Sequence, residues 1–422
     1  MRILEIAKSV LKDKYLCDRC LGRIFGQLLS GMSNEERGKA IRTFLAMALD
    51  SGESLELHPS NFHGISFRNV KIVTQKEKCW LCENFFEEEL ERVLKKVLKK
   101  LGEFEFDTFL VGCRLRKEMI AREEELWEET GIEFVETLKN EINREIGKRL
   151  STLLGKKMDR KNPDITILVN LETGGISLIV KSLFIFGKYQ KLVRGIPQAK
   201  WICGSCGGKG CKVCKGRGKL YSTSVQEIIE KPFLKVTKAK KSRFHAAGRE
   251  DIDARCLDWR PFVIEIVKPR KRTLNLRKIL KEINKSKKVK VKGLKFVEKH
   301  LIKVLKSMKN DKTYEVLVTF TKPVNEEELK KLKMLEGATI EQRTPIRVLH
   351  RRKDKLRRRR VKKISWKILS KRRVLFKIRA EAGLYIKELI TGDDGRTKPS
   401  VCEILQNKAI KILLDVVKIH SA

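Results

Sequence analysis

A short stretch near the middle of the chain, AAGREDIDARCL (residues 246–257), concentrates charge in a way that could serve chemistry. It holds three acids and two arginines within seven residues. In an extended or turn conformation Arg249 and Asp251, two positions apart, project to the same side. A neighbouring cation keeps a carboxylate ionised at neutral pH, and an ionised aspartate in a basic groove is suited to act as a nucleophile or a base. Composition alone favours a structural salt-bridge cluster, because charged loops are common, and both interpretations stay open at this point.

Two further acids in the same stretch, Glu250 and Asp253, compete with Asp251 for a chemical role. Asp253 lies two residues beyond Asp251 and would share its face. Two carboxylates that close favour protonation of one of them, which does not suit a nucleophile. We therefore predict that Asp253 is a structural partner of Arg255.

The cysteines form a second set of residues with chemical potential. The chain has eleven, and eight of them occur as four CxxC pairs. In a reducing compartment such pairs favour metal binding over disulfide formation, since two pairs can offer four thiolates to one ion in a tetrahedral arrangement. The first predicted zinc site consists of Cys17, Cys20, Cys79 and Cys82, and the second of Cys203, Cys206, Cys211 and Cys214. The alternatives are metal-free reduced thiols at the first site and a degenerate ribbon without its ion at the second. We expect one or two structural zinc ions, with two as the prediction.

Hydrophobic periodicity predicts the α+β elements that must position these residues. In the front half, DTFLVGCRL is typical of a strand and EFVETLKNEINREIGKRL of a helix, and DITILVNLETGGISLIVKSLFIFG predicts a hairpin with a third strand. In the back half, Ser224 and Asn325 are expected to begin helices, KKVKVKG is expected to form a strand, and GLKFVEKHLIKVLK is expected to form a helix.

The charge of the chain points to a polyanionic partner. The 422 residues include 95 Lys+Arg against 53 Asp+Glu, a formal net charge of +42. Residues 350–373 contain 14 basic residues and one acid. This composition favours contact with the phosphates of a nucleic acid over a solvated surface or loop that binds nothing. Nucleic acid is the leading partner. No apolar run is long enough to span a bilayer and no signal peptide is recognisable, so we expect a cytoplasmic protein with no membrane association. The sequence does not encode an oligomeric state visibly, and a monomer with no obligate protein partner is the default expectation.

Several motifs, taken in order, resemble the archaeal and eukaryotic tRNA pseudouridine synthases that modify the TΨC arm. They are AAGREDIDARCL followed by RPF, then KTYEVLVTF, QRTPIRVLHRR and AGLYIKELITGDDGRTKPSV. The front half is similar too: LCDRCLGRIFG resembles the opening segment of that family, and TFLVGCRL and FGKYQKLVRGIPQAKW resemble its THUMP-containing accessory region. The resemblance covers nearly the whole chain.

The resemblance implies an α+β fold with two parts. One is a pseudouridine synthase catalytic domain, a mixed, mostly antiparallel sheet flanked by helices, and the other is an N-terminal zinc-binding, THUMP-like α+β domain. The expected boundaries are 1–103 for the zinc-binding region, 104–200 for the THUMP-like RNA-binding module, 201–218 for the second CxxC pair as a linker, and 219–422 for the catalytic domain.

The resemblance also implies roles for single residues. Asp251 matches the aspartate that pseudouridine synthases use, Tyr314 the aromatic residue that packs on the target base, and Lys387 the basic partner of the aspartate. Arg249 fits the basic position before the aspartate. The residues expected to contact the substrate are Tyr314, Ile386, Leu405 (with Ile404 as its rival) and Arg396.

The expected reaction converts uridine to pseudouridine at tRNA positions 54, 55 or both, with tRNA as the partner. It needs no organic cofactor, because the isomerisation involves no redox change, and the sequence lacks a nucleotide-binding glycine loop. Attack of Asp251 on C1′, attack on C6, and a glycal route all remain open. Two alternatives are an RNA methyltransferase or thiouridine enzyme, which would need a cofactor or ATP loop, and a non-enzymatic zinc-containing RNA-binding protein.

Overall fold

The computed structural model describes residues 2–420 and divides into two compact units, of which the first ends at Lys181 and the second begins at Ser182. Both units mix helices and strands, as the sequence predicts. No helix among the described residues is both long and apolar enough to cross a membrane.

The first unit contains six helices and a small sheet within its described residues. Its helices are α1 (Arg2–Asp13), α2 (Asp18–Gly22), α3 (Asn34–Asp50), α4 (Leu90–Leu101), α5 (Lys117–Thr130) and α6 (Leu138–Leu154), and its strands are β1 (Thr108–Arg114), β2 (Lys157–Met158), β3 (Ile165–Asn170) and β4 (Gly175–Val180). A π-helical segment, Phe85–Glu89, leads directly into α4. The strand order is β2-β1-β3-β4, in which β1 runs parallel to both of its neighbours.

Alternating burial along β1 and β3 explains why the first unit has a single continuous core. Phe109, Val111 and Cys113 of β1 point into the core, and α6 covers this face with its own buried row of apolar side chains. The parallel pairing of β1 with β3 requires a long crossover, which α5 and α6 supply. The first set of paired cysteines lies in the same core.

The second unit is built on one large sheet. Its helices are α7 (Val225–Thr237), α8 (Leu276–Asn284), α9 (Leu301–Ser307), α10 (Glu326–Lys330), α11 (Ile386–Thr391) and α12 (Val401–Ile404), and its strands are β5 (Leu183–Lys191), β6 (Lys241–Ala246), β7 (Arg255–Val267), β8 (Val289–Val297), β9 (Lys312–Phe320), β10 (Thr339–Gln342), β11 (Arg357–Ser370), β12 (Arg373–Ala380), β13 (Thr397–Lys398) and β14 (Ala409–Ile419). The order is β13-β10-β11-β12-β9-β14-β7-β5-β8, with β6 paired to β7. Only the β14–β7 pairing is parallel among these strands, so the expected mixed, mostly antiparallel sheet is confirmed.

The pairing of β7 creates a gap in this sheet. One edge of β7 is occupied along its length by β5, from Cys256 to Ile266. The other edge is shared, because β14 pairs with Arg255 and Cys256 while β6 pairs with residues 262–267. The strands β6 and β14 are therefore separated on that edge, and the loop that joins β6 to β7 emerges between them.

Two helix starts follow the sequence prediction. The Ser224 side chain accepts a hydrogen bond from the Glu227 N–H at the start of α7, and Asn325 and Glu328 form a reciprocal capping box at α10.

Two expectations about the elements need correction. The strand Leu183–Lys191 was expected in the module at 104–200, but it pairs with β7 and β8 of the second unit. The helix expected from Gly293 is confined to Leu301–Ser307, because strand pairing with β5 extends β8 to Val297. Within the basic run at 350–373, residues 357–370 form strand β11 between β10 and β12.

Candidate active site and candidate metal centres

The loop between β6 and β7 (residues 247–254) borders a cavity of about 990 Å³ in the second unit. The loop lies where β6 and β14 leave a gap beside β7, and the exposed parts of Asp251 and Asp253 border the cavity. The opposite wall comes from the chain around the start of α11 and from the 3₁₀ segment Ile346–Arg351. Five of the predicted site residues line the cavity: Arg249, Asp251, Tyr314, Ile386 and Lys387.

The Asp251 side chain is held by two cations. The Arg347 guanidinium donates to Oδ1 at 3.1 Å, and the Lys387 ammonium lies 3.6 Å from Oδ2. Arg347 also donates to the buried carboxylate of Glu388 at 2.6 Å, which fixes the guanidinium between two acids. Asp251 itself keeps 32% of its side chain exposed. The result is an accessible carboxylate with a rigid cationic partner.

Glu250, the neighbouring acid, has a structural position. Its carboxylate is fully buried, accepts a hydrogen bond from the Tyr189 hydroxyl at 2.9 Å, and lies 3.1 Å from the Arg260 guanidinium. Gln198 donates to the same Tyr189 hydroxyl and to the Gly248 carbonyl. Glu250 therefore anchors the loop, and this leaves Asp251 to face the cavity.

The backbone of the loop is fixed from β5. Lys191, the last residue of β5, is fully buried and donates from its ammonium to the carbonyls of Asp251 at 2.9 Å and Ile252 at 3.0 Å. The Gly195 N–H donates to the same Ile252 carbonyl at 2.9 Å. Burial lowers the pKa of Lys191 to about 8. The position of the catalytic candidate thus depends on a residue 60 positions earlier in the chain.

The predicted pairing of Asp253 with Arg255 is wrong. Asp253 accepts from the Lys387 ammonium at 2.6 Å, whereas Arg255 donates to Asp415 of β14 at 2.5 Å. Burial raises the pKa of Asp253, but the hydrogen bond and charge of Lys387 outweigh it and leave the pKa below its usual value. The reason for the different pairing is that Arg255 begins β7 directly beside Asp415, with which it is in register.

Tyr314 and Arg249 lie on different parts of the cavity wall. Tyr314, on β9, is only 9% exposed, and burial raises its pKa to about 12, so the phenol stays protonated at neutral pH. The Arg249 guanidinium lies over the Trp201 ring, 5.1 Å from its centroid. The cation that hydrogen-bonds the Asp251 carboxylate is Arg347, where the sequence had suggested Arg249 beside Lys387.

Two predicted substrate contacts are placed elsewhere: neither Leu405 nor Arg396 is among the described residues lining this cavity. Leu405 is half-buried and packs against the core around β9 and β14. Arg396 forms an ion pair with Asp354 at 2.7 Å and donates to the Thr344 carbonyl. Both side chains therefore contact other residues of the second unit that stabilise its fold.

Sequence reasoning missed the roles of Arg347, Glu388 and Lys191. Arg347 lies in the motif QRTPIRVLHRR, which marked this segment as part of the family resemblance. The motif did not predict the contact of Arg347 with Asp251, because the two residues are 96 positions apart. Lys191 had no distinguishing pattern, since lysines are abundant throughout the chain.

Another lysine that lines the cavity, Lys312, has a lowered pKa. Its ammonium donates to the Asn310 carbonyl at 2.9 Å. Burial and the nearby charge of Arg260 lower the pKa of Lys312 to about 8. The cavity therefore loses a positive charge within the range of ordinary assay conditions.

Both predicted cysteine groups assemble. In each group the four Sγ atoms lie within 4.8 Å of one another. All four cysteines of the first group are buried, with Cys17 and Cys20 at α2 and Cys79 and Cys82 ahead of the π-helical segment. The Cys17 N–H donates to the Cys79 sulfur at 3.2 Å. A set of four thiols at this spacing fits a tetrahedral zinc ion.

The second group lies in a short glycine-rich hairpin of the second unit. The N–H groups of Gly210, Cys211 and Gly218 donate to cysteine sulfurs at 3.1–3.2 Å. Burial would raise the pKa of the Cys214 thiol, but the N–H donors of Cys211 and Gly218 lower it to about 6. Donors aimed at sulfur favour the thiolate, which is the form that binds a metal. At Gly218, with φ of +67°, an added Cβ would lie 2.2 Å from the Gly208 oxygen, so this turn requires glycine.

Comparison with known proteins identifies the family. The description "Pus10, C-terminal" matches residues 184–420, more than half of the chain, and "Pus10 THUMP domain, archaeal" matches residues 93–170. A protein of Methanocaldococcus jannaschii named tRNA pseudouridine synthase Pus10 is 43% identical, over 99% of this chain and 95% of its own length. The chain belongs to the Pus10 family of tRNA pseudouridine synthases.

Other Pus10 relatives show similar likeness over the same length. The protein of that name from Methanothrix thermoacetophila is 39% identical over 99% of this chain and 94% of its own length. The one from Pyrococcus furiosus is 36% identical over 99% of this chain and 98% of its own length. Among solved structures, one described as a Cbf5-Nop10-Gar1 complex contains a chain that aligns with 55% of this chain and 48% of its own length, at 17% identity and a TM-score of 0.30. The resemblance stated from the sequence is thereby confirmed, and so is the THUMP-containing α+β architecture.

Proposed function

We propose that this Pus10 chain isomerises uridine to pseudouridine in the TΨC arm of tRNA, at position 54, position 55 or both, with Asp251 as the catalytic carboxylate. The observation that carries the proposal is the placement of an accessible Asp251, held by Arg347 and Lys387, in a cavity that also contains the Tyr314 ring. The membership of the chain in the family and its charge of +42 support tRNA as the substrate.

The reaction can be followed through the atoms that change. The bond from ribose C1′ to N1 of uracil breaks, the base turns, and a bond from C1′ to C5 forms. The proton on C5 is lost and N1 gains one, so the product has the same composition as the substrate. Attack on C1′, attack on C6 and a glycal route all use an ionised carboxylate beside the reacting sugar and base.

The residues around Asp251 would divide the remaining tasks. Arg347 and Lys387 hold the carboxylate as an anion and fix its direction. The protonated Tyr314 offers a ring face on which uracil can stack and a hydroxyl that can donate a hydrogen bond. Removing the uridine from its stack costs a few kcal/mol, which contacts between the basic surface and tRNA phosphates would offset.

The test is to incubate the full-length protein with an unmodified tRNA transcript without any cofactor and to map pseudouridine chemically. We expect product at position 54, 55 or both, and none with Asp251→Asn. Asp394→Asn is the control, since it neutralises an exposed carboxylate of the second unit that does not line the cavity, and it should retain activity. Turnover that persists in Asp251→Asn would refute the assignment of the aspartate.

We also infer that both cysteine groups hold structural zinc. The first group would support the core of the first unit and the second group the glycine-rich hairpin of the second unit. Neither group lines the cavity among the described residues, so zinc takes no part in the proposed reaction.

A further inference from the structure

The second cysteine group belongs to a hairpin whose base reaches the cavity. We call residues 201–220 the cysteine hairpin. It is closed by a bridge between Ile202 and Lys219, and the Leu220 N–H donates to the Trp201 carbonyl at 3.0 Å. Trp201 lines the cavity, where its ring lies under the Arg249 guanidinium. The base of the cysteine hairpin is therefore part of the wall around the catalytic candidate.

The charge on the cysteine hairpin has one sign. Its sequence, WICGSCGGKGCKVCKGRGKL, contains five cations and no acid. Lys209, Lys212, Lys215 and Arg217 are all exposed, whereas Lys219 pairs with Glu227 of α7. Four exposed cations on so short a segment repel one another unless an anion lies against them. The backbone holds them in one arrangement because three N–H groups are directed at cysteine sulfurs.

We propose that the cysteine hairpin binds the phosphate backbone of tRNA next to the target uridine and that the four-cysteine centre sets its shape. This inference rests on the proposed function, and it adds a substrate-binding element that does not take part in the chemical step. The base of the hairpin at Trp201 places it at the cavity, and its exposed lysines supply the charge that phosphates require.

The expected contribution can be measured as a salt dependence. Each phosphate contact releases counterions, so the slope of log Kd against log salt changes by roughly 0.7–0.9 for each cation removed. Neutralising three lysines that contact phosphate should lower the slope by about 2 and weaken binding at low salt roughly tenfold or more. Because the lysines do not touch the reacting atoms, kcat should stay the same while KM rises.

The experiment compares two triple variants of the full-length protein. The first is Lys209→Gln with Lys212→Gln and Lys215→Gln. The matched control is Lys278→Gln with Lys281→Gln and Lys287→Gln, three exposed lysines on and just after α8. Binding of an unmodified tRNA transcript is measured over a range of salt in the Asp251→Asn background, so that bound RNA is not converted, and kcat and KM are measured in the active protein.

The expected result is a weaker Kd, a smaller salt slope and a raised KM for the hairpin variant alone. The proposal is overturned if the hairpin variant binds as tightly as the parent, if its affinity falls without a change in slope, or if the α8 variant loses as much. If the parent protein forms pseudouridine and the hairpin variant has the same Kd, salt slope and KM as the parent, only the inference about the cysteine hairpin is refuted. A parent that forms none defeats the proposed function.

The role of the four-cysteine centre is tested separately. Cys206→Ser should lose one zinc ion by elemental analysis and weaken the Kd for tRNA, whereas the triple lysine variant should keep its zinc. A Cys206→Ser protein that lacks the ion and binds tRNA as tightly as the parent would show that the centre does not shape the binding surface. Circular dichroism of each variant checks that the rest of the fold is retained.

Discussion

At the scale of single residues, Arg347 is the side chain on which the catalytic candidate depends. It contacts Asp251 with one arm and the buried Glu388 with another, so its direction is fixed before any substrate binds. Burial lowers the pKa of Arg347, but the hydrogen bond and charge of Glu388 outweigh this and raise it above its usual value. A charge that is already in place costs no reorganisation during the reaction.

Replacing Arg347 with glutamine should therefore impair chemistry more than binding. We expect Arg347→Gln to lower kcat by about 100-fold, since removal of one preorganised electrostatic contact costs about 3 kcal/mol, with a smaller change in KM. Steady-state kinetics on an unmodified tRNA transcript provides the measurement. Arg343→Gln is the control, because Arg343 is on the same segment and pairs with Asp354. Equal losses in both variants would argue against a special role for Arg347.

The lowered pKa of Lys312 predicts a pH dependence of substrate capture. Its folded-state pKa of about 8 lies below the usual value, so the lysine is charged below about pH 8 and neutral above it. Since a cation favours RNA, kcat/KM should fall as the pH rises through about 8 in the free enzyme. In Lys312→Met this descending limb should become smaller, leaving the contribution of Lys191, whose pKa is also lowered to about 8, and kcat/KM should be lower at pH 7. If the fall of kcat/KM above about pH 8 is unchanged in Lys312→Met, another titrating group is responsible for it.

At the scale of elements, β5 connects the large sheet to the catalytic loop. Most of its side chains are buried, and the last of them, Lys191, binds two loop carbonyls. Lys188, three positions earlier on the same strand, is exposed.

The comparison of these two lysines tests whether the strand positions the loop. Lys191→Met should lower kcat by about tenfold or more, because a displacement of about 1 Å in a reacting group can cost 100-fold. Lys188→Met should leave kcat within about twofold. If Lys191→Arg restores part of the loss by supplying a donor, the carbonyl contacts are responsible. Identical kinetics in the two methionine variants would contradict this role.

The elements also show how far sequence carries the prediction. Local signals such as the CxxC spacing, the capping residues of α7 and α10 and the motif around Asp251 predicted features that depend on nearby residues. The pairings between distant parts of the chain were not predictable: Arg255 with Asp415, set by the register of β7 with β14, and Arg347 with Asp251, join residues 160 and 96 positions apart. Strand β5 was assigned to the wrong neighbours for the same reason, since alternation identifies a strand without naming its partner.

At the scale of the whole molecule, the two cysteine groups differ in their surroundings. The first lies within the main core of the first unit, and the second is in a hairpin with many exposed residues. A structural metal contributes its binding free energy to folding, so its loss matters most where the surrounding core depends on it.

We therefore predict two zinc ions per chain and unequal consequences of losing them. Cys20→Ser should remove one ion and lower the midpoint of thermal unfolding markedly. Cys211→Ser should also remove one ion but shift the midpoint much less. Cys113→Ser changes a buried cysteine outside both groups and should keep both ions. Elemental analysis and calorimetry provide the readouts, and a parent protein without bound metal would contradict the prediction.

The placement of β14 has a consequence for how the protein is made. Among the strands in the described residues, β14 joins β9 on one side to β7 on the other, and it follows both of them in the chain. Until β14 has been synthesised, the nascent chain holds two partial sheets with unpaired edges, and Arg255 lacks Asp415. A product that lacked β14 would therefore lose part of the cavity wall and expose strand edges that are prone to aggregation.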